Sequence, residues 1–280
     1  MQLSDRTSRA GLQQAPYTGL VAARVVVSRT GAVATVLLDN PGRKNAITLG
    51  MWGELFQLFS AIAADTGVHA VLLRGAVEGG AFSAGADVSE FPEVRGTSEQ
   101  ALAAKERTHA ALEAIASCPV PVLALIDGPC VGAGLEIALC ADLRLASDRS
   151  TFALPVVRLS SSADLGDIQR LAQAAGPALA AELLLSAAAI SAERAYASGL
   201  LNWTGPAEVL DAAAQEIVTR VVAAGPRAVR VAKQGLRMVM PSVSAATDYE
   251  EAVRRLVSGS DFQEGTRAFV EHRSPVFTGH

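Results

Sequence analysis

Residues 120–147 read VPVLALIDGPCVGAGLEIALCADLRLAS, and the order of elements in this passage sets the fold class. The run from Val120 to Ile126 is apolar at almost every position, as a strand covered on both faces would be, and it ends at Asp127 and Gly128. Small residues follow, and VGAGLEIALCAD, residues 131–142, has helical spacing. LRLAS, residues 143–147, then reads as another strand. Strand, tight turn, helix and strand in succession predict a layered α/β unit.

The same alternation extends outward. ARVVVSR (23–29) and AVATVLLDN (32–40), separated by Thr30-Gly31, predict a hairpin. PGRKNAIT (41–48) leads into a helix over 48–64, with Thr48 as N-cap and Trp52, Leu55, Phe56 and Phe59 on one face. HAVLLRG (69–75) reads as a buried strand. A glycine-rich loop over 75–91 precedes a helix over 98–117 that Pro119 and Pro121 end. TFAL (151–154) is a short strand, and from Asp164 onward the pattern is helical almost throughout: 165–175, 177–186, 191–198, 207–223, 227–240, 243–258 and 261–271. The expected organisation is an N-terminal tail over 1–20, an α/β core over 21–205 and a helical region over 206–280.

Composition removes several function classes. Lys and Arg total 24 against 28 for Asp and Glu, net charge −4, and no basic block suggests a nucleic-acid partner. No run of ~18 apolar residues suggests a membrane span, and the first twenty residues lack the apolar segment of a signal peptide, so a cytoplasmic protein is expected. Cys118, Cys130 and Cys140 form no CxxC pair and read as reduced core thiols. His69, His109, His272 and His280 form neither HxH nor HExxH, so no metal site is expected. GxSxG and GxxxxGK[ST] are absent, and Ile137 stands where GxGxxG would need its last glycine.

Two small-residue turns remain, FSAGAD (82–87) and GPCVGAGLE (128–136), each following a strand. Glycines in such turns can serve tight packing alone. Their uncovered backbone N–H groups can also face an incoming anion, and two converging turns could form an oxyanion hole.

AFSAGADVSEF (81–91) resembles the AFCAGADxxE(M/F) loop of the enoyl-CoA hydratase/isomerase, or crotonase, superfamily. IDGPCVGAGLEIALCADLRLAS (126–147) is similar to that family's NGxxxGGGxELALxCDxRIA segment, LDNPGRKNAIT (38–48) to its LNRPxxxNALN, ISAERAYASGLLN (190–202) to its ISAEEAxxxGLVN, and EGTRAFVEHRSPVFTGH (264–280) to its closing EGxxAFLEKRxPxFxG. The resemblance runs from about Val25 to Gly279. It implies a crotonase-like spiral of ββα turns with a C-terminal helical trimerisation region, a homotrimer or dimer of trimers, an acyl-CoA or enoyl-CoA substrate, and no cofactor beyond the coenzyme A of that substrate.

Carried over by position, the oxyanion donors are the backbone N–H groups of Ala86 and Ala133; the latter is alanine where the family has the middle glycine of its GGG. Glu136 aligns with the first catalytic glutamate of the hydratases. The second belongs to a FGxPE segment that reads FALPV here, so its place is taken by Val156. SSSADLGDIQRL (160–171) resembles the GLAADVGTLQRL stretch of dienoyl-CoA isomerases, which makes Asp164 a second catalytic candidate, while the residue alone reads as a helix N-cap. Ser160, Ser161 and Ser162 read as loop hydrogen-bonding residues rather than nucleophiles. The resemblance also implies substrate contacts at Arg43, Lys44, Ala46, Ala84, Gly85, Asp87, Val88 and Gly132, and makes Arg273 a candidate for the CoA phosphates. Arg227, Arg230, Lys233 and Arg237 recur at helical spacing and read as a solvated face. The expected activity is enolate-mediated chemistry on the thioester, leaning to double-bond isomerisation because Val156 removes an acid. Enoyl-CoA hydration, thioester hydrolysis and acyl-CoA binding with weak catalysis stand as alternatives.

Overall fold

The computed structural model describes residues 22–77, 80–239 and 247–278. The N-terminal tail expected over 1–20 and the start of the helix expected at Val243 lie outside the described residues. Strands β1 (Arg24–Thr30) and β2 (Val33–Asp39) form the expected hairpin, Val25 opposite Leu38 and Val27 opposite Val36. From β2 the main sheet runs parallel through β3 (Ala70–Gly75), β4 (Val122–Ile126), β6 (Leu143–Ser147) and β9 (Trp203–Gly205), in the order β1-β2-β3-β4-β6-β9. A second sheet, β5-β7-β8, joins Pro129–Val131, Thr151–Ala153 and Ala189–Ser191.

Covering on both faces accounts for the unbroken apolar run in β4. Val122, Ala124 and Ile126 enter the large core together with Met51, Leu55 and Phe59 of α1 (Leu49–Ala64), Leu112 and Ile115 of α3 (Ser98–Ala116), and Leu135 of α4 (Ala133–Leu139). Leu123 and Leu125 point the other way, onto Leu210, Ala214 and Val218 of α8 (Leu210–Ala223). Helix starts follow the capping residues: the Thr48 hydroxyl accepts from the Met51 N–H, and Thr97 and Gln100 form a reciprocal capping box before α3.

Several expectations change. Phe56, read onto the apolar face of α1, is 47% exposed. The helix read over 131–142 is shorter, because residues 129–131 are taken by β5. In the segment read as helical, β8 and β9 appear as three-residue strands, too short for a period of two to register in the sequence. Beyond β9 the described elements are helical: α8, α9 (Pro226–Val239), α10 (Thr247–Ser258) and α11 (Ser260–Val270). The solvated cationic stripe on α9 is also revised: Lys233 is buried, with Nζ 2.6 Å from an Asp142 carboxylate oxygen and 2.9 Å from the Val120 carbonyl. No helix among the described residues is long and apolar enough to cross a membrane.

Two glycines separate tight packing from simple flexibility. A Cβ on Gly134 would lie 2.7 Å from Ser83 Cβ and 2.8 Å from the Ser83 carbonyl oxygen, whereas one on Gly53, inside α1, meets nothing within 4 Å. Gly134→Ala is expected to lower stability by about 1–3 kcal/mol through overpacking. Gly53→Ala should raise it by about 0.5–1 kcal/mol through helix propensity. Urea titrations of the two variants against the parent protein check both signs.

Candidate active site

The first turn is built around Ile47. Its N–H donates to the Gly85 carbonyl at 2.7 Å, and its carbonyl accepts from the Asp87 N–H at 2.8 Å. Those bonds take the groups on either side of Ala86 and leave the Ala86 N–H facing away, without a hydrogen-bond partner among the described residues. In the second turn, the Val131 N–H donates to the Ser83 carbonyl at 3.0 Å and the Gly132 N–H to the Ala153 carbonyl at 2.9 Å. Gly132, at φ 51° and ψ −121°, turns the chain into α4. Ala133 is the first residue of that helix, so its N–H is one of the orphan donors of a helix start.

The turns touch. A Cβ built on Gly132 would lie 3.7 Å from Gly85 Cα, and one on Gly85 would lie 3.2 Å from the Val131 carbonyl oxygen. Ala86 and Ala133 are the next residues along each of these two adjoining chain segments. Positive φ falls on Gly132 and Gly85, not on Ala133, so the alanine that replaces a family glycine carries no left-handed strain.

The PGRKNA loop braces the first turn. Asn45 is fully buried and donates from Nδ2 to the carbonyls of Ala76 and Ala81, at 2.9 and 2.8 Å. The Lys44 carbonyl accepts from the Ala84 N–H at 3.0 Å, and the carbonyl of buried Ala46 accepts from Asn40 Nδ2 at 2.7 Å. Arg43, Lys44 and Ala84 are exposed on this rim, and Val88 is half-buried beside it. Asp87 accepts from the Ser89 N–H at 3.0 Å, from the Ser89 hydroxyl at 2.7 Å and from Asn40 Nδ2 at 3.3 Å. Burial pushes its pKa up, but these donors and the nearby Arg43 outweigh it and hold the carboxyl below its ordinary value. Asp87 thus braces the loop with the carboxylate that the resemblance assigned to substrate.

Glu136 lies one turn into α4, its N–H donating to the Gly132 carbonyl at 3.0 Å. Burial, then the neighbouring carboxylates of Asp167 and Asp164, push its pKa up to about 8, against the opposing fields of Arg95 and Arg170. Asp167, on α5 (Leu165–Ala175), is only 2% exposed; burial raises its pKa too, although Arg170 lies 3.0 Å away.

Asp164 occupies the N-cap position of α5 but makes no side-chain capping bond, which corrects the cap reading of its carboxylate. That carboxylate instead faces α3, 2.6 Å from Lys105 Nζ and 3.7 Å from His109 Nδ1. It also borders a cavity of about 1050 Å³ lined by Lys105, His109, Glu113 and Arg170, but by neither Glu136 nor the two amide turns. Val156 opens a 3-10 turn over Val156–Leu159 and packs partly buried against the core, so no carboxylate occupies the second hydratase position. The Ser160 and Ser161 N–H groups close this turn onto the carbonyls of Val157 and Val156, at 3.1 and 3.2 Å. Arg273 is engaged by Glu264 and Glu271, each at 2.6 Å, which removes it as an uncommitted phosphate contact.

Sequence reasoning passed over three members of this charge cluster. Asp167 stands in the first turn of its helix, where an acid is ordinary, although its spacing to Arg170 suits an i,i+3 pair. Arg170 also reaches Glu113 at 2.9 Å across to α3, a tertiary pairing with no local signal. Arg95 had none either: its place near Glu136 depends on how residues 88–97 fold back. Among the described residues no group of three or more His, Cys, Asp or Glu could hold a metal ion.

A family model for enoyl-CoA hydratase/isomerase proteins matches residues 28–280. The mevalonyl-coenzyme A hydratase of Aspergillus fumigatus is 31% identical over 257 residues, covering 88% of this chain and 91% of that protein. An enoyl-CoA hydratase/carnithine racemase from Magnetospirillum magneticum superposes with a TM-score of 0.74 at 36% identity, covering 91% of this chain and 96% of that one. A methylmalonyl-CoA decarboxylase solved with 2-nitronate-propionyl-CoA gives 0.82 at 28% identity, covering 91% and 98%.

Its raised pKa makes Glu136 a site of stored instability. Its folded pKa lies above the unfolded value, so between about pH 4.5 and 8 the unfolded chain binds fewer protons and stability falls as pH rises. Glu136→Gln removes the group that must ionise. The variant is expected to be more stable than the parent at pH 8, by on the order of 1 kcal/mol after allowing for the glutamate's partial exposure, with a smaller difference at pH 5. Denaturant midpoints at the two pH values test this; a difference that grows toward pH 5 would contradict it.

Proposed function

Since the chain belongs to the enoyl-CoA hydratase/isomerase family and acts on acyl-CoA thioesters, we propose that it moves a proton along the acyl chain through a thioester enolate, shifting a double bond. Two uncommitted N–H groups on touching turns, with a carboxylic acid one helical turn beyond, carry this reading. The thioester oxygen sits between the Ala86 and Ala133 N–H groups. Glu136 takes a proton from the α-carbon of a 3-enoyl thioester, and the electron pair of that C–H bond spreads over the dienolate onto the oxygen. The same carboxyl then returns the proton to the γ-carbon, giving the 2-enoyl thioester. Each preorganised donor in comparable sites lowers such a barrier by about 3–4 kcal/mol.

Burial suits Glu136 to both halves of this cycle, because a carboxyl with a pKa near working pH can take and return a proton with little penalty. Asp164, fixed by Lys105 and His109, acts on Glu136 through its field and is a positioning residue. Arg43 and Lys44, on the exposed rim of the first turn, accompany the CoA phosphates; Gly85 and Gly132 let the thioester approach the backbone. Large apolar side chains exposed on α9, Val231, Leu236 and Met238, support assembly into a homotrimer or dimer of trimers through the region after residue 205.

Hydration of an enoyl thioester is the second reading, favoured by relatives that carry hydratase names, among them the A. fumigatus protein. It needs a group to hold the water, and Val156 supplies none.

Product analysis with trans-2-, cis-3- and dienoyl-CoA thioesters separates the readings. Turnover of the 3-enoyl substrate is expected to exceed hydration of the 2-enoyl one. Glu136→Gln should lower kcat at least ~100-fold and Asp164→Asn clearly less. Abstraction needs ionised Glu136, so kcat/KM for the 3-enoyl thioester should climb with pH and level off above about 8. Equal turnover by the parent and Glu136→Gln would remove this residue from the mechanism.

A further inference from the structure

We propose that Arg95 is the receptor for a carboxylate at the far end of a short acyl chain, so that the preferred substrates are dicarboxylyl-CoA thioesters. The inference rests on the acyl-CoA site proposed above and names the class of acyl group that site takes.

Arg95 follows the short helix α2 (Phe91–Val94) and is held there by its own N–H, which donates to the Phe91 carbonyl at 2.9 Å. Its guanidinium carbon sits over the Phe91 ring, 4.3 Å from the centroid, and Phe91 is buried with the Phe269 ring of α11 beside it, tilted by 36° at 6.2 Å. This aromatic shelf fixes the cation by its face. A guanidinium held that way still presents N–H groups along its edge, in the fork that fits a carboxylate.

What singles out Arg95 is the lack of a partner. The other cations around the acids are matched: Lys105 to Asp164, and Arg170 to Asp167 and Glu113. Arg95 forms no ion pair and donates no side-chain hydrogen bond to any described residue. Its field acts on one carboxyl, that of Glu136, and Glu136 is largely protonated at neutral pH. Arg95 is half-buried and its nitrogens are not sealed off, so a carboxylate can reach the guanidinium and gain charge-assisted hydrogen bonds there. Since Arg95 and Glu136 share one neighbourhood, the anionic group lies only a few carbons beyond the reacting centre. An uncharged acyl tail would leave the guanidinium unsatisfied, so the same residue disfavours such chains.

Arg95 could otherwise serve only as a counterion that tunes Glu136, and the measurements distinguish this. Calorimetry with glutaryl-CoA and butyryl-CoA, neither of which carries a double bond to shift, gives binding; turnover of glutaconyl-CoA and of an uncharged enoyl-CoA of matched length gives kcat/KM. The parent protein is expected to favour the dicarboxylyl member of each pair at least tenfold. Arg95→Met should cut that ratio at least tenfold, and Arg95→Lys, which keeps the charge but loses the fork, should fall between. Ratios unchanged in Arg95→Met, or equal loss on both substrates with a displaced pH profile, would overturn the proposal. Equal affinity of the parent for both thioesters overturns it while leaving the acyl-CoA site standing, whereas no binding or turnover of any thioester defeats both.

Discussion

Close contact between Gly85 and Gly132 is the constraint on which the rest of the site depends. The turns belong to distant stretches of chain, joined by hydrogen bonds between Ser83 and the Pro129–Val131 strand, and each is shaped by a glycine at positive φ that a side chain would strain. On one side Ile47 captures the groups flanking Ala86; on the other the Gly132 N–H is tied to Ala153. A backbone N–H has little freedom once its neighbours are bonded, so the directions of the Ala86 and Ala133 N–H groups are set by the fold itself. Gly134 extends the same closeness into the helix, where a Cβ would collide with Ser83.

Around those donors the acids are arranged unevenly. Three carboxyl groups, Glu136, Asp164 and Asp167, feel one another, and the pairing of the last two with Lys105, His109 and Arg170 decides which can hold a proton. Burial first, and then repulsion by the neighbouring carboxylates, favours the protonated form of the member that no cation pairs. That member is Glu136. Val156, packed against the core in its 3-10 turn, adds no further acid to this group.

Much of the fold was legible because it is local. The apolar run in β4, Thr48 before α1 and the helical spacing of α3 each state their structure within a dozen residues, and the two glycine turns were found between their strands. Strands β8 and β9 escaped because three residues carry no readable period; their pairing comes from β7 and β6. The site was half legible. Ala86 sits in a turn, and Ala133 and Glu136 open α4, both marked by their local sequence, whereas Asp167 and Arg170 gain meaning from α3 and α4 packing beside α5, and Arg95 from a fold-back that no pattern announces.

Asp164 illustrates why sequence position alone could not assign a role. Every local sign made it a cap, and its backbone does stand at the N-cap with the Ile168 N–H on its carbonyl at 2.9 Å. A capping carboxylate must turn back toward the first amides of its own helix; Lys105, with His109 one turn on along α3, offers an ion pair in the other direction. A charge-assisted pair at 2.6 Å outcompetes a neutral amide, so the side chain leaves its helix. Held there, the aspartate is one of the neighbours that push the Glu136 pKa up, which connects an ion pair with α3 to the acid of α4.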